Sequence, residues 1–314
     1  MDRSLVRLTL TAPLLCLFAL GCSPGPSASE CAALRAARRA RLTSPPQLGS
    51  AAAFAALGAT AVNNTGRTMF LFESGLTADV GVSPGNVITG MCANPPSNCG
   101  ATGVITPPST EEIADAVAAQ AQTDATTAYN AAVSSSCTSD KSGVDLGSQT
   151  LTPGVYCFSS SASLTGNLNL DGQNDPNAVF IFQIAGDLNV AANAFVELIN
   201  GGSECNILWQ VGGSATLNTN SQVIGSVLAK GDVTVNNDVN LIGRAVSQTG
   251  AVNINAAFFQ VNHCTSGGTI DGGVADAGSP DAGSSGSDAG SGSGSSDAGA
   301  GDESDAGSLG ACGE

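Results

Sequence analysis

Acidic side chains are the first residues in this 314-residue chain that could do chemistry. Paired carboxylates in a cleft cleave sugar polymers in many enzymes, so these acids are candidates for a catalytic pair. Here they lie mainly in turn-like sequences, where Asp caps the backbone, and Lys and Arg are scarce around them. We therefore predict no catalytic residues, no enzymatic activity and no cofactor. The acids in question are Asp171, Asp175, Asp187, Glu197 and Asp232.

Cysteine is the second candidate for chemistry, with six residues in the central part of the chain. Metal binding is one interpretation, but the chain has no Cys-x-x-Cys pair and its only histidine is His263. An even number of cysteines in an exported chain favours disulfides, and six allow 15 pairings. We predict no metal site, and spacing along the chain favours three pairs: Cys92–Cys99, Cys137–Cys157 and Cys205–Cys264.

Threonine and asparagine recur with a regular spacing in the second half of the chain. Thr216 and Thr234 are 18 residues apart, and Asn253 follows 19 residues later. Between them Val, Leu and Ile alternate with short polar residues, which is the period of a strand with one buried face. A repeat of this length predicts the coils of a β-solenoid, in which the polar positions of successive coils line up.

A flat array of hydroxyl and amide side chains is suited to surface recognition rather than to catalysis. An alternative stays open, because asparagine stacks also stabilise solenoids through hydrogen bonds between coils without any ligand. The candidate binding residues are Thr216, Asn218, Thr219, Ser221, Thr234, Asn236, Asn237, Asn240, Asn253 and Asn255.

One helix is predicted beside the strands. Ser109 and Glu112 form a capping-box sequence, and the alanine-rich segment 110–133 follows it. Residues 179–184 and 206–211 are apolar at nearly every position, which predicts strands with both faces buried. Trp209 is expected in the core.

The two ends of the chain differ in composition from its centre. Residues 1–21 resemble a secretory signal peptide, and Ala-Leu-Gly-Cys at 19–22 resembles a lipobox that would lipidate Cys22. Ordinary signal cleavage is the alternative. Residues 22–46 are expected to be a tether, 47–264 a single domain, and 265–314 a disordered acidic Gly/Ser/Ala/Asp tail. This organisation predicts a secreted protein held at the outer cell envelope by a lipid anchor.

Charge excludes one class of partner. The central domain has fifteen Asp and Glu residues against Arg67, Lys141, Lys230 and Arg244. Nucleic-acid binding needs clustered cations to neutralise phosphates, so we predict no nucleic-acid partner.

Several segments together resemble the microbial ice-binding protein family. The resemblance implies a right-handed, triangular, discontinuous β-solenoid with one long α-helix alongside, and N-terminal strands inserted between later ones. It also implies adsorption to ice through a flat, rigid face of short side chains. The segments that carry it are 48–55, 81–85, 118–122, 127–130, 151–156, 168–172, 175–184, 205–212 and 243–245.

The chain departs from the family in one respect. Strongly active members carry a Thr-Gly/Ala-x-Thr/Asn quartet on their face strands. The quartets that align here are 192–195, 219–222, 237–240 and 255–258; one begins with Thr, and Asp238 adds a charge. The expected partner is ice, with weak or moderate activity, and the alternative is an envelope solenoid that binds a polysaccharide or protein.

Overall fold

A computed structural model describes residues 45–72, 77–93, 103–262 and 264. Within them the chain forms three parallel sheets, two short 3-10 turns and one α-helix, α1 (Ala116–Ser134). The predicted signal peptide, Cys22, Cys99, His263 and the acidic tail lie outside the described residues. Among the described helices, none is both long and apolar enough to span a membrane.

Sheet A is the face on which the helix packs. In spatial order its strands are β8 (Glu111–Ile113), β4 (Asp79–Val82), β1 (Phe54–Gly58), β23 (Ala245–Ser247), β20 (Ser226–Ala229), β17 (Ile207–Val211), β14 (Phe180–Ile184), β11 (Gly154–Phe158) and β9 (Ser139–Asp140).

Sheets B and C form the other two faces. Sheet B runs β12 (Ala162–Leu164), β15 (Leu188–Val190), β18 (Ala215–Leu217), β21 (Val233–Val235), β24 (Ala251–Ile254), β2 (Ala61–Asn64) and β5 (Val87–Thr89). Sheet C runs β10 (Gln149–Leu151), β13 (Asn167–Asp171), β16 (Phe195–Ile199), β19 (Gln222–Ile224), β22 (Asn240–Ile242), β25 (Phe258–Val261), β3 (Met69–Phe72), β7 (Gly103–Ile105) and β6 (Met91–Ala93).

Each coil takes one strand from each sheet, which confirms the β-solenoid. The chain order is nevertheless broken, because β1, β2 and β3 pair with β23, β24 and β25 of the last coil. The first strands therefore extend the stack beyond its C-terminal coil. The expectation that they insert between later strands was wrong: β23, β20, β17, β14 and β11 are consecutive neighbours.

The interior of the solenoid is filled by the alternate apolar residues of every strand. Leu217, Val235 and Ile254 are fully buried on successive coils, and Trp209 stacks on Phe182 with ring centroids 3.9 Å apart. The indole of Trp209 donates to the carbonyl of Ile224 at 2.9 Å. Burial of each such side chain contributes about 1.5–3 kcal/mol, so stacking of coils supplies most of the stability.

A glycine is required where two successive coils turn from sheet C to sheet A, between β19 and β20 and between β22 and β23. Gly225 and Gly243 have φ angles of +104° and +149°. A Cβ on Gly225 would lie 2.5 Å from the carbonyl oxygen of Ile207, and one on Gly243 would lie 2.0 Å from that of Gly225. The 18-residue glycine repeat in the sequence therefore reflects a corner at which successive backbones touch.

The helix covers the outer face of sheet A. Its buried alanines include Ala121 and Ala125, and they pack with Ile181, Leu208 and Leu228 of the strands. At 19 residues it is about 28 Å long, enough to cross about six strands spaced ~4.8 Å apart. The prediction that 179–184 and 206–211 are buried on both faces is confirmed for β14 and β17, where only Gln183 is partly exposed.

The predicted start of the helix was wrong. Asp115 is the N-cap and accepts from the amide of Ala118 at 2.8 Å, whereas residues 111–113 form β8 and pair with β4. Ser109 accepts from the amide of Ala78 instead of capping a helix. Strand pairing satisfies the backbone of this segment, so its capping-box sequence is not used.

Two of the predicted disulfides are confirmed. Cys137 pairs with Cys157, and Cys205 pairs with Cys264 across a separation of 59 residues. Cys92 is disulfide-bonded, but Cys99 lies outside the described residues, so this third pairing stays a prediction. The second bridge fixes the end of the last coil.

Arg244 connects the first and last segments of the solenoid domain. Its side chain is 3% exposed, and its guanidinium donates to the carbonyls of Ala52 and Asn262, each at 2.8 Å. Burial lowers the pKa of Arg244 to about 10, and nearby Glu204 opposes this shift. The guanidinium thus connects the segment before β1 to the segment after β25.

Candidate binding surface

Within the part of the chain that the structure describes, two of the three solenoid faces are open to solvent. Sheet A is covered by α1 and by the 3-10 turn Gly49–Ala53, whose Ser50 donates twice to the carboxylate of Asp124 on the helix at 2.7 Å. The outward side chains of sheets B and C have no comparable cover among the described residues. A binding surface must therefore be sought on these two sheets.

Sheet B presents one continuous column of short polar side chains. The central outward position of every strand is Ser, Thr or Asn, and strand register places each member beside the next. This column, which we call the central ladder, runs Ser163, Asn189, Thr216, Thr234, Asn253, Asn63 and Thr89.

Hydrogen bonds between coils fix part of the central ladder. Asn63 donates to Asn253 at 3.0 Å, and Thr89 donates to Asn63 at 3.0 Å. Side chains held in this way lose little further freedom on binding. Thr216 and Thr234 sit at the middle of the ladder, partly exposed, with their methyl and hydroxyl groups on the outer face.

A second column, two residues past the central ladder, contains an asparagine stack on three successive coils, Asn218, Asn236 and Asn255. The amide of Asn236 donates to Asn218 at 3.3 Å, that of Asn255 donates to Asn236 at 3.2 Å, and Thr65 donates to Asn255. Asn218 also donates to Asn189 of the central ladder at 2.9 Å. These residues border the corner with sheet C, so they stabilise the coils as well as lining the face.

The third column, two residues before the central ladder, changes character along the stack. It begins with carboxylates and serines and ends with apolar residues: Ser161, Asp187, Ser214, Asp232, Ala251, Ala61 and Val87. Asp187 accepts from the amide of Ser214, and Asp232 accepts from that of Ala251, both at 2.8 Å. Each carboxylate therefore ties its coil to the next while its side chain remains exposed.

Another carboxylate closes the end of sheet B near β12. Asp145 accepts from the hydroxyl of Ser163 at 2.7 Å, from the amide of Gly147 at 2.7 Å, and from the amide and hydroxyl of Thr165 at 3.0 and 2.9 Å. Burial alone would raise the pKa of Asp145, but these hydrogen bonds outweigh it and hold the pKa below its usual value. The carboxylate is consequently charged at neutral pH.

Sheet C presents a different outer surface. Its first outward column is Asn167, Phe195, Gln222, Asn240, Phe258, Met69 and Val104. Phe195, Phe258 and Met69 are 39%, 39% and 46% exposed. Aromatic and thioether side chains alternate with amides of different length, so this face is uneven and chemically mixed.

Comparisons with known proteins agree with this architecture. Residues 56–260 match the model of the family described as ice-binding-like, which covers more than half of the chain. The chain belongs to the ice-binding-like family. A relative named ice-binding protein, from Nostoc sp. (strain HG1), is 44% identical over 214 residues, which are 68% of this chain and 73% of the relative.

Solved structures of ice-binding proteins have the same fold as this ice-binding-like chain. One from an Antarctic biological consortium gives a TM-score of 0.61 at 36% identity, covering 69% of this chain and 91% of its own. Another, from the Antarctic ascomycete Antarctomyces psychrotrophicus, gives 0.61 at 31% identity, covering 70% and 99%. These matches extend over nearly all of each neighbour.

The ten residues predicted from the ice-binding-like sequence do not lie on one surface. Thr216, Thr234 and Asn253 belong to the central ladder, and Asn218, Asn236 and Asn255 form the adjoining stack. Thr219 and Asn237 are exposed in the turns between sheets B and C. Ser221 is 1% exposed, so it cannot contact a surface, and Asn240 lies on sheet C.

The aligned quartets straddle the corner between sheets B and C. Their second residues Asn193, Asn220, Asp238 and Ala256 have φ angles between 45° and 60°, which places them in left-handed turn conformations. Their last residues are Phe195, Gln222, Asn240 and Phe258, and these begin strands of sheet C. The quartets therefore describe a bend of the chain, and the regular flat positions lie a few residues earlier.

Four members of the central ladder are not among the ten binding residues predicted from the sequence: Ser163, Asn189, Asn63 and Thr89. Asn189 and Ser163 precede the regular repeat and have different spacing. Asn63 and Thr89 join the ladder because β2 pairs with β24, a contact between residues 190 positions apart. The polar run 63–65 was the available signal, but its place on the face depends on the order of the coils.

Proposed function

We propose that this protein is a non-enzymatic ice-binding protein that adsorbs to ice through the outer face of sheet B. The observation that carries this proposal is the central ladder, in which seven successive strands present only Ser, Thr or Asn. Adsorbed protein would block growth and recrystallisation of the crystal beneath it.

The chemistry of the central ladder suits an ordered water lattice. Short hydroxyl and amide groups can both donate and accept hydrogen bonds, and they recur at the spacing of the strands, about 4.8 Å. Rigid placement matters because each group must meet its water position without first losing conformational freedom. The hydrogen bonds of Asn63, Asn253 and Thr89 provide that rigidity.

Sheet C is the less suitable face. Its exposed phenylalanine and methionine side chains project unevenly and interrupt a flat surface. Sheet A is excluded by the helix that covers it. Ice adsorption by geometry therefore favours sheet B over both other sheets.

Tyrosine substitution tests the face on the full mature chain with its disulfides intact. Wild-type protein should inhibit ice recrystallisation and show thermal hysteresis. Thr216→Tyr with Thr234→Tyr should remove most of both activities, because two rings at the centre of the ladder hold the flat surface away from ice. Thr150→Tyr, an exposed threonine of sheet C, is the matched control and should keep wild-type activity.

Two results would contradict the proposal. If the wild-type protein is folded but has no effect on ice, the proposal of ice binding is refuted. Equal activity of the double variant and the wild type would remove sheet B as the contact face.

We further propose that Cys22 anchors the protein at the outer cell envelope. The support is the lipobox-like Ala-Leu-Gly-Cys at 19–22, followed by a segment rich in Ser, Pro and Gly. Cys22→Ala should move the protein from the membrane fraction to the soluble fraction and abolish labelling by radioactive palmitate. Unchanged fractionation would contradict the anchor.

A further inference from the structure

The central ladder is chemically uneven along its length. Its β12 and β15 end, which we call the acidic end, carries Asp145 against Ser163 and Asp187 in the column beside Asn189. Its β24, β2 and β5 end, which we call the uncharged end, has Ala251, Ala61 and Val87 in that column. The two ends share one fold and one register but differ in charge.

Charge decides how water is held at each end. A carboxylate accepts several strong hydrogen bonds and orders water around itself, so ice contact at the acidic end requires its partial desolvation. At the uncharged end, methyl groups of alanine and valine stand beside the amides of Asn253 and Asn63 and the hydroxyl of Thr89. Desolvation of these small neutral groups costs far less.

One carboxylate touches the uncharged end, since Asp232 accepts from the amide of Ala251 at 2.8 Å, and the other nearby described charges lie around the corner. Asp238 donates its amide to the carbonyl of Ala256 at 2.9 Å, and both residues, like the exposed Arg67, belong to turns that lead into sheet C. They therefore flank the face without occupying its two columns beside Asn253 and Asn63. Asp232 lies next to Thr234 and marks the border between the ends.

We infer that the ice contact is centred on the uncharged end, so that N-terminal strands β2 and β5 supply a specificity-determining part of the surface. This inference rests on the proposed function of sheet B and adds which part of the ladder binds. Asn63, Asn253 and Thr89 are its central residues, joined by the hydrogen bonds at 3.0 Å described above.

Two double variants of the full mature chain separate the ends. Asn63→Tyr with Thr89→Tyr changes the uncharged end, and Ser163→Tyr with Asn189→Tyr is the matched control at the acidic end. Thermal hysteresis of the first should fall about tenfold, as expected for loss of a contact centre. The second should also lose activity, but by a clearly smaller factor of about threefold, since contacts at the edge of an interface contribute less than those at its centre.

A separate control for correct folding is needed, because Asn63 and Asn189 take part in hydrogen bonds. Circular dichroism and thermal unfolding identify the folded variants. Asn63→Ala with Thr89→Ala is a milder pair that adds no bulk, and it should also lose more activity than Ser163→Ala with Asn189→Ala.

The outcomes distinguish this inference from the proposed function. A larger loss at the acidic end, or equal losses at both ends, overturns the inference and leaves sheet B as the ice face. Full activity in both double variants overturns both, as does wild-type protein that is folded and inactive.

Discussion

Sheets B and C are built by the same coils, yet they present opposite surfaces. Both bury Val, Leu and Ile inside and both are parallel, with neighbouring strands in matching register. Sheet B turns Thr216 and Asn253 outward, whereas sheet C turns Phe195 and Phe258 outward at 39% exposure. The solenoid core therefore fixes where outward side chains stand, and the outward residues alone decide what each face can bind.

The difference also shows why a solenoid suits surface recognition. Stacking of coils is stabilised by the interior, so the outward positions are free to vary with little effect on folding. A ladder of similar short polar groups can appear on one face while another face remains irregular. A substitution that weakens the shared core should therefore damage both faces together, whereas a substitution of outward residues should change one face alone.

Removal of the Arg244 side chain should have the largest effect. Arg244→Ala leaves two backbone carbonyls without their donors and weakens the junction that both open sheets cross. We expect a loss of about 2–6 kcal/mol in the free energy of unfolding, measured by urea denaturation with disulfides intact, because each unsatisfied buried carbonyl costs about 1–3 kcal/mol. The exposed Arg67→Ala is the control and should change it by less than about 0.5 kcal/mol. Similar values for both variants would refute the role of Arg244.

Replacement of the sheet C aromatics should separate the faces. In Phe195→Thr with Phe258→Thr, binding of a hydrophobic dye such as ANS should fall, because the exposed apolar area shrinks. Thermal hysteresis should stay within about twofold of wild type, since a surface distant from the contact carries little of the binding energy. A large loss of hysteresis would instead place sheet C in contact with ice.

Removal of charge from sheet B should increase activity modestly. Asp187→Asn with Asp232→Asn keeps an oxygen that can accept from Ser214 and Ala251, while the two negative charges disappear. Thermal hysteresis should rise about twofold, because less strongly held water must be displaced. Glu197→Gln on sheet C is the control and should leave hysteresis unchanged. A decrease in the double variant would argue that the carboxylates themselves assist binding.

Low pH should destabilise the fold at the β12 end of sheet B, and this effect should be smaller than those of the substitutions above. The folded pKa of Asp145 is lowered, so its carboxylate stabilises the fold fully above the unfolded pKa, about 3.9. That contribution is lost as the pH falls through the folded pKa. Between pH 6 and pH 2, the free energy of unfolding should therefore fall by less in Asp145→Asn than in wild type. Identical pH profiles would contradict this prediction.

Much of the fold follows from local pattern. The 18-residue repeat predicts the coils, apolar runs predict β14 and β17, and spacing along the chain favoured the pairs Cys137–Cys157 and Cys205–Cys264. These features depend on residues close in sequence or on simple alternation. The start of α1 depends on a more distant contact, because residues 111–113 pair with β4, about 30 positions earlier in the chain.

The candidate surface could be predicted only in part for a similar reason. Thr216, Thr234 and Asn253 share a phase in the sequence and also a column in the structure. Asn63 and Thr89 show no such periodicity, and they meet this column only because the first strands stack on the last coil. Ser221 and Asn240 keep the polar character of the repeat but lie past the turn, where side chains point into the corner or onto sheet C.

The pairing of β1 with β23 also has a consequence for how the protein is made. Synthesis proceeds from the N-terminus, so the segment that becomes β1 to β8 emerges long before the strand on which it must stack. Contacts of such sequence separation slow folding, because a large loop must close before they form. The finished surface of sheet B can therefore assemble only after the last coil has left the ribosome, and a chain that stops before residue 245 would leave an unpaired edge prone to aggregation.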